Sequence, residues 1–543
     1  MLREGNMGWA VMLLMLFGIV AGPGVAGWSQ SGATAPSIVP APAAASPPPP
    51  PSPPAAGESE VLSLLHEALG VPRASTFDEL LGSERDARRI STLVVSVPDP
   101  RQSLVSFYFD QVVETLVNAA EGVGLAKDRY LFPWRPASTA AMRPADAESQ
   151  LGPGVMLFRS AAAGAASSTD VEWLVVFLVG ESPVLGARDA DLDQAFAWAE
   201  ALASDRRAPL RVLGPFFSGS ARSLQGALER RNLEGPQPPA VIVTGTATAA
   251  SIAAQLAVIG TTFSRTVPLD DELLEFLVCE IQKQHAPDTP RIAMLAEIGT
   301  VFGSGLSPSE ARPNGAGAAS AECESQGLAT FRFPLHIAQL QAARQRGPKP
   351  ADDAVASLRR TLELRIERQE EATVDTPPVF SELTAHESEL ELRQLLQRIC
   401  ADQTQYLVLA ATDPVDVVFL GQEAHKYCPG MALATLGADV LFTHPDLRAT
   451  FAGALVASPY PLLFETGALT PWRQSTPFAS DVAQGFYNAA VAQLGASRPG
   501  AAEPPPLLRY RLPAEECPGE EACYGPQLWL TMIANNAYWP LAK

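Results

Sequence analysis

The most apolar strand that the pattern predicts is residues 172–179 (EWLVVFLV), which has no alternating polar face. A strand that is apolar on both faces belongs in the middle of a parallel sheet covered by helices. A second such run, residues 91–97 (STLVVSV), is broken by Pro98, Asp99 and Pro100 and gives way to helical spacing over 104–123. Further strands are predicted at 155–158, 210–213, 240–244, 262–267, 291–296, 330–333, 406–411, 431–436, from 451 onward, and at 528–533. Between them the apolar spacing turns helical at 190–203, 272–284, 389–399, 415–425 and 479–494, with Ser388 a candidate N-cap. Strands alternating with helices predict an α/β fold with mainly parallel sheets. The strands are too many for one comfortable sheet, so two lobes, each a mainly parallel sheet flanked by helices, are expected.

One stretch concentrates the candidate chemistry. Residues 210–251 hold two strand–turn–helix units in succession, with turns rich in Gly, Ser and Thr. In open parallel sheets, small molecules bind at the carboxyl ends of the strands. The first turn offers Ser218, Gly219 and Ser220. Gly219 would let backbone amides approach a ligand, Ser218 could donate its hydroxyl, and Ser220 is placed to cap the next helix. The free amides of that helix's first turn favour an anion. Thr244, Gly245, Thr246 and Thr248 offer the same chemistry on the second unit. A matching turn follows the strand at 291–296 and carries Thr300, Phe302 and Gly303, so its aromatic ring could close over a ligand. The same residue types are also ordinary turn, cap and core residues.

Composition narrows the setting. The 543 residues are 47% hydrophobic, enough for packed cores and too long for a single one. A formal charge of −20 opposes binding to nucleic acid or anionic headgroups. Residues 1–26 combine Arg3, an apolar run and the small-x-small end Gly24-Val25-Ala26. They are predicted to be an export signal cleaved after Ala26, or else an uncleaved anchor. The signal contains no Cys, which excludes a lipoprotein. Residues 27–58 are a Pro-rich linker, and 59–88 a helical lead-in with Leu62, Leu65 and Leu69 on one face.

An even number of cysteines, 6, in an exported chain favours disulfides. Cys400 and Cys428 each precede a predicted strand. If those strands are neighbours, the pair can bond, closing a loop of about 28 residues worth roughly 3 kcal/mol. Cys517 and Cys523 could close a local loop. Cys279 and Cys323 are a less determined pair. The absence of any CxxC pair argues against zinc bound through cysteines, and no metal or cofactor site is expected. The six His follow no HxxxH or HExxH spacing, FFSGS is not a GxSxG elbow, and no Walker sequence occurs, so no catalytic residues and no enzyme activity are expected.

The order of motifs resembles the type I periplasmic binding proteins, the leucine/isoleucine/valine-binding protein family of ABC transporters. Five stretches carry the likeness: LRVLGPFFSGSARSLQGAL, AVIVTGTATAAS, GTTFSRTVPLDDELLEFL, PRIAMLAEIGTVFGSGL, and MALATLGADVL followed by GALVASPYP. LWLTMIANNAYWP is similar to the family's closing strand pair. The resemblance implies two lobes, residues 89–265 plus 448–500 and residues 266–447 plus 501–543. It also implies capture of a small polar or amino-acid-like solute between them, outside the cytoplasm, for an ABC permease. The alternative is a membrane-tethered sensor or scaffold of the cell envelope that uses the same fold. The family's acidic grip on a ligand ammonium has two candidate positions here, Asp413 and Asp439, each also readable as a cap or turn residue.

Overall fold

The computed structural model describes residues 58–69, 76, 89–100, 108–134, 152–160, 172–205, 207–233, 237–257, 260–306, 328–338, 382–463, 468–469, 475–476, 478–495 and 528–542. The expected export signal, the Pro-rich linker, the loop at 161–168 and the charged stretch at 345–378 lie outside them.

The first sheet contains β1 (Arg89–Pro98), β2 (Leu125–Leu131), β3 (Gly154–Ser160), β4 (Glu172–Ser182), the short β5 (Gly186–Ala187), β6 (Leu210–Leu213), β7 (Ala240–Thr244) and β8 (Thr261–Arg265). Its order is β2-β3-β4-β1-β6-β7-β8, with β5 on β4. The five strands β4, β1, β6, β7 and β8 are parallel, and β2 and β3 extend them antiparallel. The second sheet contains β9 (Ile292–Ile298), β10 (Leu328–Pro334), β11 (Tyr406–Ala410), β12 (Ala432–Leu436) and β13 (Leu455–Ser458). A two-stranded ribbon, β14 (Ala468–Leu469) with β15 (Ser475–Thr476), stands apart from both sheets. The second sheet closes with β16 (Trp529–Ala534) and β17 (Ala537–Ala542). Its order is β10-β9-β11-β12-β13-β16-β17, parallel through β13 and antiparallel after it.

Counting only parallel strands in chain order, both sheets run 2-1-3-4-5. That is a doubly wound arrangement with a switch point beside its first strand. The two-lobed α/β architecture expected from the apolar pattern is therefore present, built twice on one plan.

Alternation within the strands explains the two-sided burial. In β4, Trp173, Val175, Phe177 and Val179 join one core, and Leu174, Val176 and Leu178 join another on the opposite face. The first of these cores is covered by helices Asp189–Leu202 and Ala221–Leu233 and by the lead-in helix Glu58–Leu69, which buries Val61, Leu62, Leu65 and Leu69. Helices Tyr108–Gly122 and Asp481–Gly495 cover the second. Around the second sheet, helix Asp270–His285 covers one face, and helices Glu382–Ala401 and Pro414–Tyr427 cover the other.

The return crossing differs from expectation. Residues 448–458 were expected in the first lobe, yet β13 pairs with β12 in the second sheet, Ala434 opposite Leu455. Helix Asp481–Gly495 then packs back on the first sheet. There the Gln493 amide donates to Val212 O at 2.8 Å and Val241 O at 2.9 Å. The apolar run at 451–459 fits either lobe by pattern, and strand pairing decides between them. Cys400 and Cys428 are disulfide-bonded, with Cα atoms 5.9 Å apart. Cys279, buried in helix Asp270–His285, is also disulfide-bonded. Cys323, Cys517 and Cys523 lie outside the described residues.

Candidate functional site

Loops at the carboxyl ends of both sheets meet at a cleft of about 150 Å³. The first sheet contributes the turns after β6 and β7, and the second contributes the turns after β9, β11 and β12. Tyr108, Asp481 and Val482 come from the two helices on the first sheet's inner face, and Asp270 and Leu273 from the helix leading into the second.

The turn after β6 is held from beneath. Glu181, buried at the end of β4, accepts the amides of Phe216 at 2.9 Å and Phe217 at 3.1 Å through Oε2. Burial pushes its carboxyl above the usual range, while the Ser96 hydroxyl, these two amides and the Ser220 hydroxyl pull it back. The anchored turn presents Ser218, whose Oγ accepts the amides of Thr248 and Ala249, both at 3.2 Å. Two accepted bonds occupy the lone pairs of that hydroxyl and leave its proton to donate.

The matching turn after β9 rests on a second buried glutamate. Glu297 accepts the Thr300 hydroxyl at 2.7 Å, the Thr412 amide at 2.9 Å and the Thr412 hydroxyl. Thr300 also caps helix Val301–Gly305 by accepting the Gly303 amide at 3.0 Å. Burial raises the Glu297 carboxyl as well.

Of the eight residues singled out in the sequence, Ser218, Gly219, Gly245, Thr246, Thr300 and Phe302 line the cleft, and Ser220 and Thr244 do not. Ser220 is not the helix N-cap. A 3-10 turn, Ser218–Ser220, precedes helix Ala221–Leu233, and the fully buried Ser220 hydroxyl reaches Ser182 O at 3.5 Å. Thr244 turns its hydroxyl inward to Pro215 O at 2.8 Å and accepts the Ala247 amide at 3.1 Å. Both satisfy loop backbone groups rather than facing a ligand.

The glycines have packing reasons of their own. A Cβ on Gly245 would stand 1.9 Å from Gly485 O in helix Asp481–Gly495, and one on Gly219 would stand 2.5 Å from Pro183 O. Gly245 is thus required where a loop and a helix backbone touch, whatever it does for a ligand.

The acidic candidates also move. Asp413 and Asp439 do not line the cleft. Each caps a helical turn, Asp413 accepting the Val415 amide and Asp439 the Leu441 amide, both at 2.8 Å. The acids that do line it are Asp270 and Asp481, neither of which stood out in the sequence. Burial raises each from the usual 3.8 to about 7. Backbone amides hydrogen-bond the Asp481 carboxylate, whereas Asp270 takes a bond from Thr248 and its Oδ2 has no hydrogen-bond partner. Tyr108 completes the lining, its phenol held neutral by burial and then by the charges of Asp439, Asp413 and Asp481. The remaining surface is mainly apolar: Phe216, Phe217, Val267, Leu273, Val301, Phe302 and Leu436.

Among the described residues, the group of side chains able to hold a metal ion is His336, Asp413 and Asp416, none of which lines the cleft. No helix among the described residues is long and apolar enough to cross a membrane.

No family model matches the sequence, and no curated protein matches it. Solved structures give matches. One is an ABC transporter substrate-binding protein from Desulfitobacterium hafniense in complex with Leu, 11% identical over 83% of this chain and 100% of that one, with a TM-score of 0.38. Another is a branched-chain amino acid ABC transporter protein from Thermus thermophilus with bound valine, 12% identical over 84% and 96%, TM-score 0.42. A third is a fatty acid ABC transporter substrate-binding protein from Thermomonospora curvata, 8% identical over 83% and 91%, TM-score 0.41.

Proposed function

We propose that the chain is an exported solute-binding protein that captures a small, polar-headed solute between its two sheets for an ABC permease. The observation that carries this reading is the cleft built by strand-end loops of both sheets. In it, a hydroxyl with a free proton (Ser218) and a carboxylate oxygen without a partner (Asp270) stand opposite apolar side chains. A solute with an ammonium or other donor for Asp270, an acceptor for Ser218 and a short apolar body against Phe302 and Leu436 fits that distribution. An amino acid has all three features. Closure of the two lobes about the crossings between them is the response such a site makes to its ligand. No chemistry is assigned to it: the two buried glutamates are committed to holding loops. Residues 1–26 act as the export signal in this reading, and intact-mass measurement of exported protein tests it, with a mature chain beginning at Gly27 expected.

The Pro-rich linker favours one second reading, a tethered envelope sensor or scaffold, because a diffusing transport subunit needs no stalk. A thermal-shift panel of amino acids, amides and small carboxylates separates the two. Ligand linkage raises Tm for at least one member, and the rise shrinks in Ser218→Ala and Asp270→Asn. A flat response across the panel, with recovery of an envelope protein on the chain, turns the assignment to the second reading.

A further inference from the structure

The turn that leaves β10 carries His336 into the interior of the second lobe, where it is 1% exposed and neither ring nitrogen has a hydrogen-bond partner. A buried imidazole with both nitrogens unsatisfied is costly, and buried polar atoms in folded proteins are nearly always paired. Two carboxylates face it, Asp413 and Asp416, which bracket the start of helix Pro414–Tyr427. Each spends Oδ1 on the fold: Asp413 accepts the Val415 amide at 2.8 Å and Asp416 the Ala338 amide at 2.9 Å. The other oxygens are what remain. Asp416 Oδ2 has no partner, and Asp413 Oδ2 stands 4.0 Å from His336 Nδ1, beyond hydrogen-bond reach. One donor atom from each residue falls within 4.8 Å of the other two.

We propose that His336, Asp413 and Asp416 form a buried binding site for one divalent transition-metal ion, zinc first among them. One imidazole nitrogen and two carboxylate oxygens make a donor set that zinc accepts at about 2.0–2.2 Å. Donors around such an ion stand about 3.4 Å apart, so these three need to draw in by about 1 Å. A dication cancels the charge of two carboxylates that no Lys or Arg pairs with among the described residues, and it satisfies one of the two orphaned ring nitrogens together with the orphaned Asp416 oxygen. The Val415 and Ala338 amides already hold the ligating carboxylates in orientation, as outer partners do in metal sites. The ion would pin the exit of β10 to the loop between β11 and the next helix. Thr412, beside Asp413 in that loop, lines the cleft, so the ion would stiffen the second-lobe wall without touching a ligand. The site stands independently of solute binding, since none of its three residues lines the cleft.

The test uses the full chain, tag removed, stripped with EDTA and titrated with Co²⁺ and then Zn²⁺. The wild type is expected to take up one Co²⁺ per chain with visible d–d bands, to release it to one equivalent of Zn²⁺, and to gain in Tm. His336→Gln and Asp416→Asn, checked for retained secondary structure by circular dichroism, are expected to bind more than about 100-fold more weakly. Should a variant fail to fold, X-ray absorption on the wild-type complex decides, with one imidazole nitrogen in the coordination shell expected. The proposal is overturned by any of three results. The stripped wild type takes up no metal, the coordination shell contains only oxygen, as at adventitious acidic surface sites, or His336→Gln binds as tightly as wild type.

Discussion

Two buried glutamates hold the two walls of the cleft, and they hold them differently. Glu181 grips mainly backbone, the amides of Phe216 and Phe217, and so fixes a turn in which the Ser218 side chain stays available. Glu297 grips side chains, consuming the hydroxyl protons of Thr300 and Thr412 along with one amide. Both turns look alike in the sequence, each a polar, Gly-containing loop after a strand. The first keeps a hydroxyl proton for a ligand at Ser218. The second has committed the Thr300 hydroxyl proton to Glu297 and offers the cleft mainly Val301 and Phe302. A hydroxyl in a strand-end loop therefore says little about ligand contact until its proton has been traced.

The comparison can be broken most forcefully at the backbone. Gly245→Ala pushes a Cβ against Gly485 O, and we expect a loss of about 3 kcal/mol or more, read as a lower Tm or urea midpoint. An unchanged midpoint would mean that the loop and the helix do not touch. Glu181→Met strands two amides, at a cost of about 2–4 kcal/mol. Glu297→Met strands one amide and two hydroxyls that can turn to other acceptors, so its cost is expected to be smaller, about 1–3 kcal/mol. The reverse order in unfolding experiments would dissolve the distinction between the walls.

The pH dependence follows from Asp270 and Asp481 together with Asp413 and Asp439, which burial also raises to about 7. Their folded values near 7 lie above the usual 3.8, so the native state binds protons that the unfolded chain releases over that range. Their contribution is fully present below about pH 4 and is lost as pH rises towards 7. A carboxyl moved from 3.8 to about 7 contributes at most about 4 kcal/mol. Tm is expected to fall between pH 5 and pH 8, less steeply in Asp270→Asn. A cationic solute has the opposite preference, since it binds the ionised Asp270 and its affinity rises through pH 7. A slope of affinity that persists in Asp270→Asn would remove that residue from the grip.

Smaller effects separate the hydroxyls. Ser218→Ala is expected to weaken a ligand by about 1–3 kcal/mol. Thr300→Ala costs about 1 kcal/mol of stability as a lost cap and leaves affinity within about twofold. Ser220→Ala leaves affinity unchanged, because its hydroxyl is buried against Ser182 O. Calorimetric titration of the three variants would order them, and equal losses would contradict the tracing.

Much of this plan was legible in the chain. The run at 172–179 declared a central strand because apolar side chains on both faces can be buried only between two layers. The repeated strand–turn–helix pattern then gave both lobes. Strand pairing was less visible. β2 (LAKDRYL) buries only Leu125 at a sheet edge and carries Lys127, Asp128 and Arg129, so its apolar signal is weak. The return crossing at 448–458 depended on which neighbour β13 met, which no local pattern encodes. Six of the eight candidate ligand residues line the cleft. Ser220 and Thr244 lie on the same turns but point their hydroxyls inward, to Ser182 O and Pro215 O. Asp270 was hidden by its second identity as a helix-start acid. His336 and Asp416 were hidden by the 80 positions between them: their meeting depends on β10 and β11 flanking β9.

The central claim is that a solute binds between these two walls with its polar head on Ser218 and Asp270. The most direct measurement is a crystal structure of the natively purified chain with the strongest ligand from the thermal-shift panel. The account predicts density in the cleft, within hydrogen-bond distance of Ser218 Oγ and Asp270 Oδ2, with the apolar part against Phe302. Ligand density outside the cleft, or inside it with its polar head on Thr300 and Thr412 instead, would contradict it.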